Sequence, residues 1–117
     1  MESFIRARSY IHGGHTLKNH PICGRDCGHS WEIEVLILGV EEEERHQMPA
    51  DEGKLQAELK AISEELSGKD IGKMIKPATS SPMGIAHWYH ERLASRYDVR
   101  EVTVWRDPDL AAVLRAP

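Results

Sequence analysis

Four residues, His15, Cys23, Cys27 and His29, concentrate metal-binding and nucleophilic side chains in the segment GGHTLKNHPICGRDCGHSW, and they include both cysteines of the chain. Two positions apart on a strand face the same way, so Cys27 and His29 can offer a sulfur and an imidazole to one ion. Gly28 between them lets the backbone approach closely. His15, behind Gly13-Gly14 at the end of a neighbouring strand, can add a third ligand, leaving tetrahedral zinc with an open fourth position for catalysis or ligand binding. If Cys23 completes the set instead, two Cys and two His close the site and it reads as structural. The spacing His-x7-Cys-x3-Cys-x-His is not one of the common structural zinc patterns. A third reading has no ion at all, only a buried cysteine and surface histidines in a loop.

Composition bounds what can position such a cluster. The 117 residues, 40% apolar and 29% charged, suit one soluble domain over residues 1–117. A net charge of -4 and a pI near 6.0 argue against nucleic acid as the main partner. No apolar stretch approaches a membrane span, and Met1-Glu2-Ser3 followed by Arg6 and Arg8 lacks the apolar core of a signal peptide. The expected location is therefore cytoplasmic, where cysteines serve metal or catalysis more often than disulfides.

Periodicity supplies the elements. Ile5, Ala7, Ser9 and Ile11 alternate with Phe4, Arg6, Arg8, Tyr10 and His12, a strand leading to His15. His29, Trp31, Ile33, Val35 and Ile37 share a face of a second strand, opposite Ser30, Glu32 and Glu34. The acidic run Glu41 to Glu44 reads as a solvated connection. Leu55, Leu59, Ile62 and Leu66 recur at helical spacing over 51–66, with Gly68 as the stop. Ser81 followed by Pro82 is an N-cap signature, and Ile85, Trp88, Tyr89 and Leu93 give a second helix reaching about Tyr97. Residues 99–106 alternate as a third strand, and Leu110 to Leu114 is either an edge strand or a helical turn. The order is ββαα followed by one or two strands.

The run GGHTL, then CGRDCGHSW, then an alternating strand ending in Gly39, resembles the 6-pyruvoyltetrahydropterin synthase and 6-carboxytetrahydropterin synthase family. The resemblance is closest over residues 9–39 and stays collinear through Val104-Trp105. It implies an α+β tunnelling fold: an antiparallel sheet covered on one side by two helices, with three subunits joining into a barrel and two trimers stacking into a hexamer. It also implies zinc that activates a pterin side chain, a cysteine acting as base, and a pocket shared between subunits. Carried over by position, His15 and His29 match family zinc ligands, Cys27 stands where the first His of His-Gly-His is expected, and Cys23 matches the catalytic cysteine.

Three further sites depart from the family pattern. The Asp-His pair that assists the cysteine falls at Ser67-Gly68, leaving Asp70, Asp26, His87 or His90 as the nearest replacements, of which Asp70 is the catalytic candidate. Flanking Trp88 and Tyr89 on a helix, His87 and His90 read more simply as solvent-facing. The glutamate that receives the amino-pyrimidine edge of a pterin should follow Val104-Trp105, where this chain has Arg106. Arginine carries five donors and no acceptor, so either Asp107 takes that contact or the ligand presents a carboxylate, a phosphate or carbonyl groups. A strand-end arginine pointing to solvent is the plainer reading. Ser80-Ser81 replaces the family's Pro-Thr at the second helix start, where backbone amides suit an anionic or carbonyl group.

The function these readings favour is a zinc-dependent lyase of the pterin synthase type, acting on dihydroneopterin triphosphate or a related reduced pterin, with weak or absent standard activity. Zinc is the expected cofactor, a pterin-like heterocycle and a homo-oligomer the expected partners. The alternatives are a tunnelling-fold protein that binds zinc and a heterocycle without the parental reaction, and a structural two-Cys, two-His zinc module.

Overall fold

A computed structural model describes residues 2–15, 27–39, 49–67, 81–106 and 108–117, with residues 12–15, 27–29 and 49–52 described as backbone. The elements are β1 (Phe4–His15), β2 (Cys27–Leu38), α1 (Pro49–Leu66), α2 (Pro82–Leu93), β3 (Asp98–Arg106) and β4 (Leu110–Arg115). The four strands form one antiparallel sheet in the order β1-β2-β3-β4. Leu110 to Arg115 is thus an edge strand, because Leu110 to Ala112 and Val113 to Arg115 continue the ladder of Glu101 to Arg106.

Alternation decides which face the helices cover. Ala7, Ser9 and Ile11 of β1 and Trp31, Ile33, Val35 and Ile37 of β2 are buried, while Arg6, Arg8 and Tyr10 are exposed. In β3 strict alternation would set Val99 against Val102 and Val104. A register shift between Leu36 and Ile37 resolves the conflict: Ile37 pairs with Val99 and Leu36 with Glu101, so Arg100 is the extra residue. The bulge returns all three valines to the core face.

Both helices lie on that face, α1 against β1 and α2 against β3 and β4. The helical periodicity of α1 is realised, with Leu55, Leu59, Ile62 and Leu66 buried. In α2 the buried set is Ile85, Ala86, Tyr89 and Leu93. Trp88 sits at the margin of the core, edge-on to Tyr89 at 5.1 Å between ring centroids and beneath the Arg92 guanidinium at 4.9 Å. The helix starts as expected: Ser81 has extended dihedrals, its Oγ accepts from the Gly84 amide at 3.3 Å, and Pro82 follows. It ends earlier than the expected Tyr97. The Ala94 amide still donates to His90 O, but the Arg96 and Tyr97 amides both return to Leu93 O, turning the chain into β3.

Contacts between the helices fix their relative direction. Glu58 pairs with Arg96 at 2.9 Å and Glu65 with Arg92 at 2.6 Å, so rising numbers on α1 meet falling numbers on α2. Beneath them runs a buried polar chain. Ser9 Oγ donates to Ser63 Oγ at 2.7 Å, and Ser63 Oγ lies 2.8 Å from the Tyr89 hydroxyl. One residue each from β1, α1 and α2 therefore meet through hydroxyls inside an otherwise apolar core, each polar group being satisfied by the next.

Candidate metal and ligand site

The ladder between β1 and β2 extends through the chemistry-bearing positions. His15 pairs with Cys27, Gly14 with Gly28 and Gly13 with His29. Residues directly opposite in an antiparallel ladder share a face, and so do residues two apart on one strand. Positions 15, 27 and 29 therefore belong to one face, and continuation of the alternation from Ile11 and Trp31 makes it the helix-covered face. Two imidazoles and a thiolate are a donor set that zinc accepts in tetrahedral geometry, so residue chemistry and backbone register both fit that ion. Among the described side chains no group of three or more His, Cys, Asp or Glu comes together to hold a metal.

Other elements converge on the same end of the sheet. Trp31, two residues beyond His29, pairs with Arg106, and Arg106 pairs with Leu110 across the other ladder. Arg106 follows Val102 and Val104 at period two, which puts it on the helix-covered face, half-buried rather than projecting into solvent. Because α2 ends at Leu93 and turns directly into Asp98 while packing on β3, its N-terminus is carried back toward the Arg106 end. The antiparallel pairing of helices sends the C-terminus of α1, closed by the Ser67 amide donating to Ser63 O at 3.0 Å, the same way.

The remaining sequence candidates divide clearly. The Ser81 hydroxyl is engaged in capping α2. His87 is exposed on α2, as the solvent-facing reading expects, whereas His90 is half-buried. Cys23, Asp26, Gly68, Asp70, Ser80 and Asp107 lie outside the described residues. Sequence reasoning missed the hydroxyl chain of Ser9, Ser63 and Tyr89. Ser9 on an apolar face and Ser63 beside Ile62 on the apolar stripe of α1 were the available signals. Burial pushes the Tyr89 phenol up from 10.0 to about 12; the Ser63 hydrogen bond opposes this, Glu65 adds to it and Arg92 opposes it.

The opposite face carries a different chemistry. Arg8 bridges Glu34 at 2.7 Å and Glu32 at 3.4 Å, the Tyr10 hydroxyl donates to Glu32 at 3.4 Å, and Arg115 pairs with Glu101 at 2.9 Å. Arg8, Glu32 and Glu34 with Trp105 and Pro108 line a shallow open depression.

A four-stranded antiparallel sheet with two helices on one face, in the order ββααββ, is the tunnelling fold. The solved structure of Caenorhabditis elegans 6-pyruvoyl tetrahydropterin synthase matches it with a TM-score of 0.81, covering 100% of this chain and 97% of that one at 15% identity. The sequence model of the family described as 6-pyruvoyl tetrahydropterin synthase matches residues 4–117, and the chain belongs to that family. Comparison with curated protein sequences gives no match. Among the described residues no helix is long and apolar enough to cross a membrane.

Proposed function

We propose that this chain is a zinc-dependent protein of the 6-pyruvoyl/6-carboxytetrahydropterin synthase type that acts on, or binds, a reduced pterin or related heterocycle. The observation that carries the reading is the β1–β2 register, with His15 opposite Cys27 and His29 on the same face. His15, Cys27 and His29 would hold the ion. When bound, zinc supplies a Lewis acid for an oxygen of the ligand, weakened here because a Cys27 thiolate adds a negative charge that histidine lacks. Cys23 serves as the base, its thiolate favoured by Arg25 and the metal charge, and Asp70 as the carboxylate for proton relay. Ser81, Arg106 and Asp107 bind the ligand, Ser81 through its backbone at the α2 start.

Assembly belongs to the same proposal. Both edges of the sheet carry exposed apolar side chains, Phe4 and Tyr10 on β1, Leu110 and Val113 on β4. Unpaired strand edges are stabilised by pairing, and closing them between copies gives a barrel without free edges. The reading is a homohexamer built as a dimer of trimers, located in the cytoplasm.

The second reading is a non-catalytic protein that binds zinc and a heterocycle. Ser67 in place of a proton-relay residue and Arg106 in place of a carboxylate favour it. Loss of one general acid or base costs ~10²–10⁴ in rate, so lyase turnover of dihydroneopterin triphosphate should be weak or absent. Metal analysis together with that turnover assay decides. One zinc per chain with turnover at the level of a full-motif family member means that Asp70 or another group has replaced the missing pair. Zinc with pterin binding but no turnover selects the second reading. A closed two-Cys, two-His module would show itself as equal protection of Cys23 and Cys27 from a thiol reagent, released together by a chelator.

A further inference from the structure

Hydrogen-bond direction sorts each outer strand into inward and outward positions. The Gly39 amide donates to Ser3 O at 3.0 Å, so Ser3, Ile5 and every second residue of β1 after them turn their backbone polar groups toward β2. Glu2, Phe4, Arg6, Arg8 and Tyr10 therefore turn theirs to the outer edge. Across the sheet the Ala116 amide donates to Arg100 O at 2.9 Å, which makes Ala111, Val113 and Arg115 the outward positions of β4. One outward group is already taken, because Gln56 of α1 donates through Nε2 to Arg8 O at 3.4 Å. Gln56 thus divides the β1 edge, with Glu2 to Arg6 on one side of its contact and Tyr10 onward on the other.

We propose that a second copy of this chain docks its β4 antiparallel to the first half of β1, with Arg115 opposite Glu2, Val113 opposite Phe4 and Ala111 opposite Arg6. The inference rests on the edge-joined assembly proposed above and adds its register. Outward positions must meet outward positions for a ladder to form, so the possible registers differ by steps of two residues. Moving β4 by one, two or three steps toward His15 brings Ala111, Val113 or Arg115 opposite Arg8 and displaces Gln56. The last two of these also set Arg115 against Arg6 or Arg8, like charges directly opposite. A fourth step spares Gln56 but sets Arg115 against Tyr10 and Val113 against His12, leaving Phe4 uncovered. One step the other way sets Val113 against Glu2 and parts both matched pairs. In the proposed register Phe4, 44% exposed, and Val113, 45% exposed, cover each other. The Arg115 guanidinium, bonded to Glu101 at 2.9 Å, keeps donors for Glu2.

Paired cysteines read the register directly. Opposite residues in a hydrogen-bonded pair have Cα atoms about 5.5 Å apart, within disulfide reach, and a two-residue slip adds about 7 Å along the strand, which is beyond it. Four double variants are oxidised without denaturant and resolved on non-reducing gels: Phe4→Cys with Val113→Cys, Phe4→Cys with Arg115→Cys, Arg6→Cys with Arg115→Cys, and Tyr10→Cys with Arg115→Cys. All the replaced side chains are exposed, so folding is retained, and the native protein with Cys23 and Cys27 gives the background. The expected result is that the Phe4 and Val113 pair forms covalent dimers and trimers about tenfold or more faster than the other three. Gln56→Ala should leave the assembly midpoint in light scattering unchanged, since the Arg8 carbonyl is not needed by the neighbour. Fastest cross-linking by another pair, or tighter assembly of Gln56→Ala, overturns the register and leaves the edge-joined oligomer standing. An oligomer in which no pair cross-links above background also overturns the register, and a stable monomer overturns register and assembly together.

Discussion

Removing the Cys27 thiol tests the strand alternation at its most consequential point. With one of the three proposed ligands gone, Cys27→Ala should not retain zinc, and metal analysis showing full occupancy would remove Cys27 from the proposed site. A second residue-scale test concerns the hydroxyl chain in the core. Ser63 is the middle member, so Ser63→Ala strands both the Ser9 and the Tyr89 hydroxyls, whereas Tyr89→Phe leaves Ser63 still bonded to Ser9. An unsatisfied buried group costs ~1–3 kcal/mol and a lost neutral hydrogen bond ~1 kcal/mol, so urea denaturation should find Ser63→Ala the more damaging. Tyr89 also gives this core a pH limit. Its folded value of about 12 exceeds the unfolded 10.0, so the folded protein holds the phenolic proton longer, and the associated stability, complete below pH 10.0, is lost as pH rises toward 12. Near-ultraviolet titration should show Tyr89 ionising only as the protein unfolds.

At the scale of elements, the junction of α2 with β3 matters most, because it aims the helix N-terminus at the Arg106 end of the sheet. Ser81 sets the start of that helix by accepting from the Gly84 amide. Ser81→Ala should cost ~1 kcal/mol in thermal or urea denaturation while leaving zinc content unchanged, since the loss is local to the first turn. Loss of zinc in that variant would mean that the α2 start and the proposed metal positions are coupled more tightly than packing alone requires. The interhelical ion pairs Glu58–Arg96 and Glu65–Arg92 are partly exposed, and such pairs contribute only ~0.2–1 kcal/mol each. They orient the helices against each other more than they hold them. The stability of α1 comes instead from Leu55, Leu59, Ile62 and Leu66, and a Leu59→Ala cavity should cost ~2–5 kcal/mol.

For the whole molecule, among the described residues the helices cover one sheet face and leave the other face and two strand edges uncovered. Exposed Phe4 and Tyr10 at one edge and Leu110 and Val113 at the other are apolar area that pairing of copies would remove from water. Light scattering should therefore report an oligomer at micromolar concentration. A stable monomer would eliminate both the hexamer and any pocket completed by a neighbouring subunit, and the site would then have to work from one chain's residues alone.

Much of this was legible in the chain itself because period two and period 3.6 are local properties. The faces of β1 and β2, the buried leucines of α1, the Ser81-Pro82 helix start and the shared face of positions 15, 27 and 29 all follow from spacing within one element or across one hairpin. Where local signals balanced or pointed elsewhere, contacts between elements decided. Leu110 to Arg115 became a strand because β3 offered it an open edge. Valines 99, 102 and 104 share the core face only through the bulge at Arg100, which pairing with β2 imposes. The second helix stops at Leu93, since its last amides turn back to let Tyr97 pack and β3 begin. Ser9, Ser63 and Tyr89 meet across a wide sequence separation that no periodicity records. Arg106 reads in isolation as a strand-end cation; only its pairing with Trp31 sets it on the face and at the end where the candidate ligands lie.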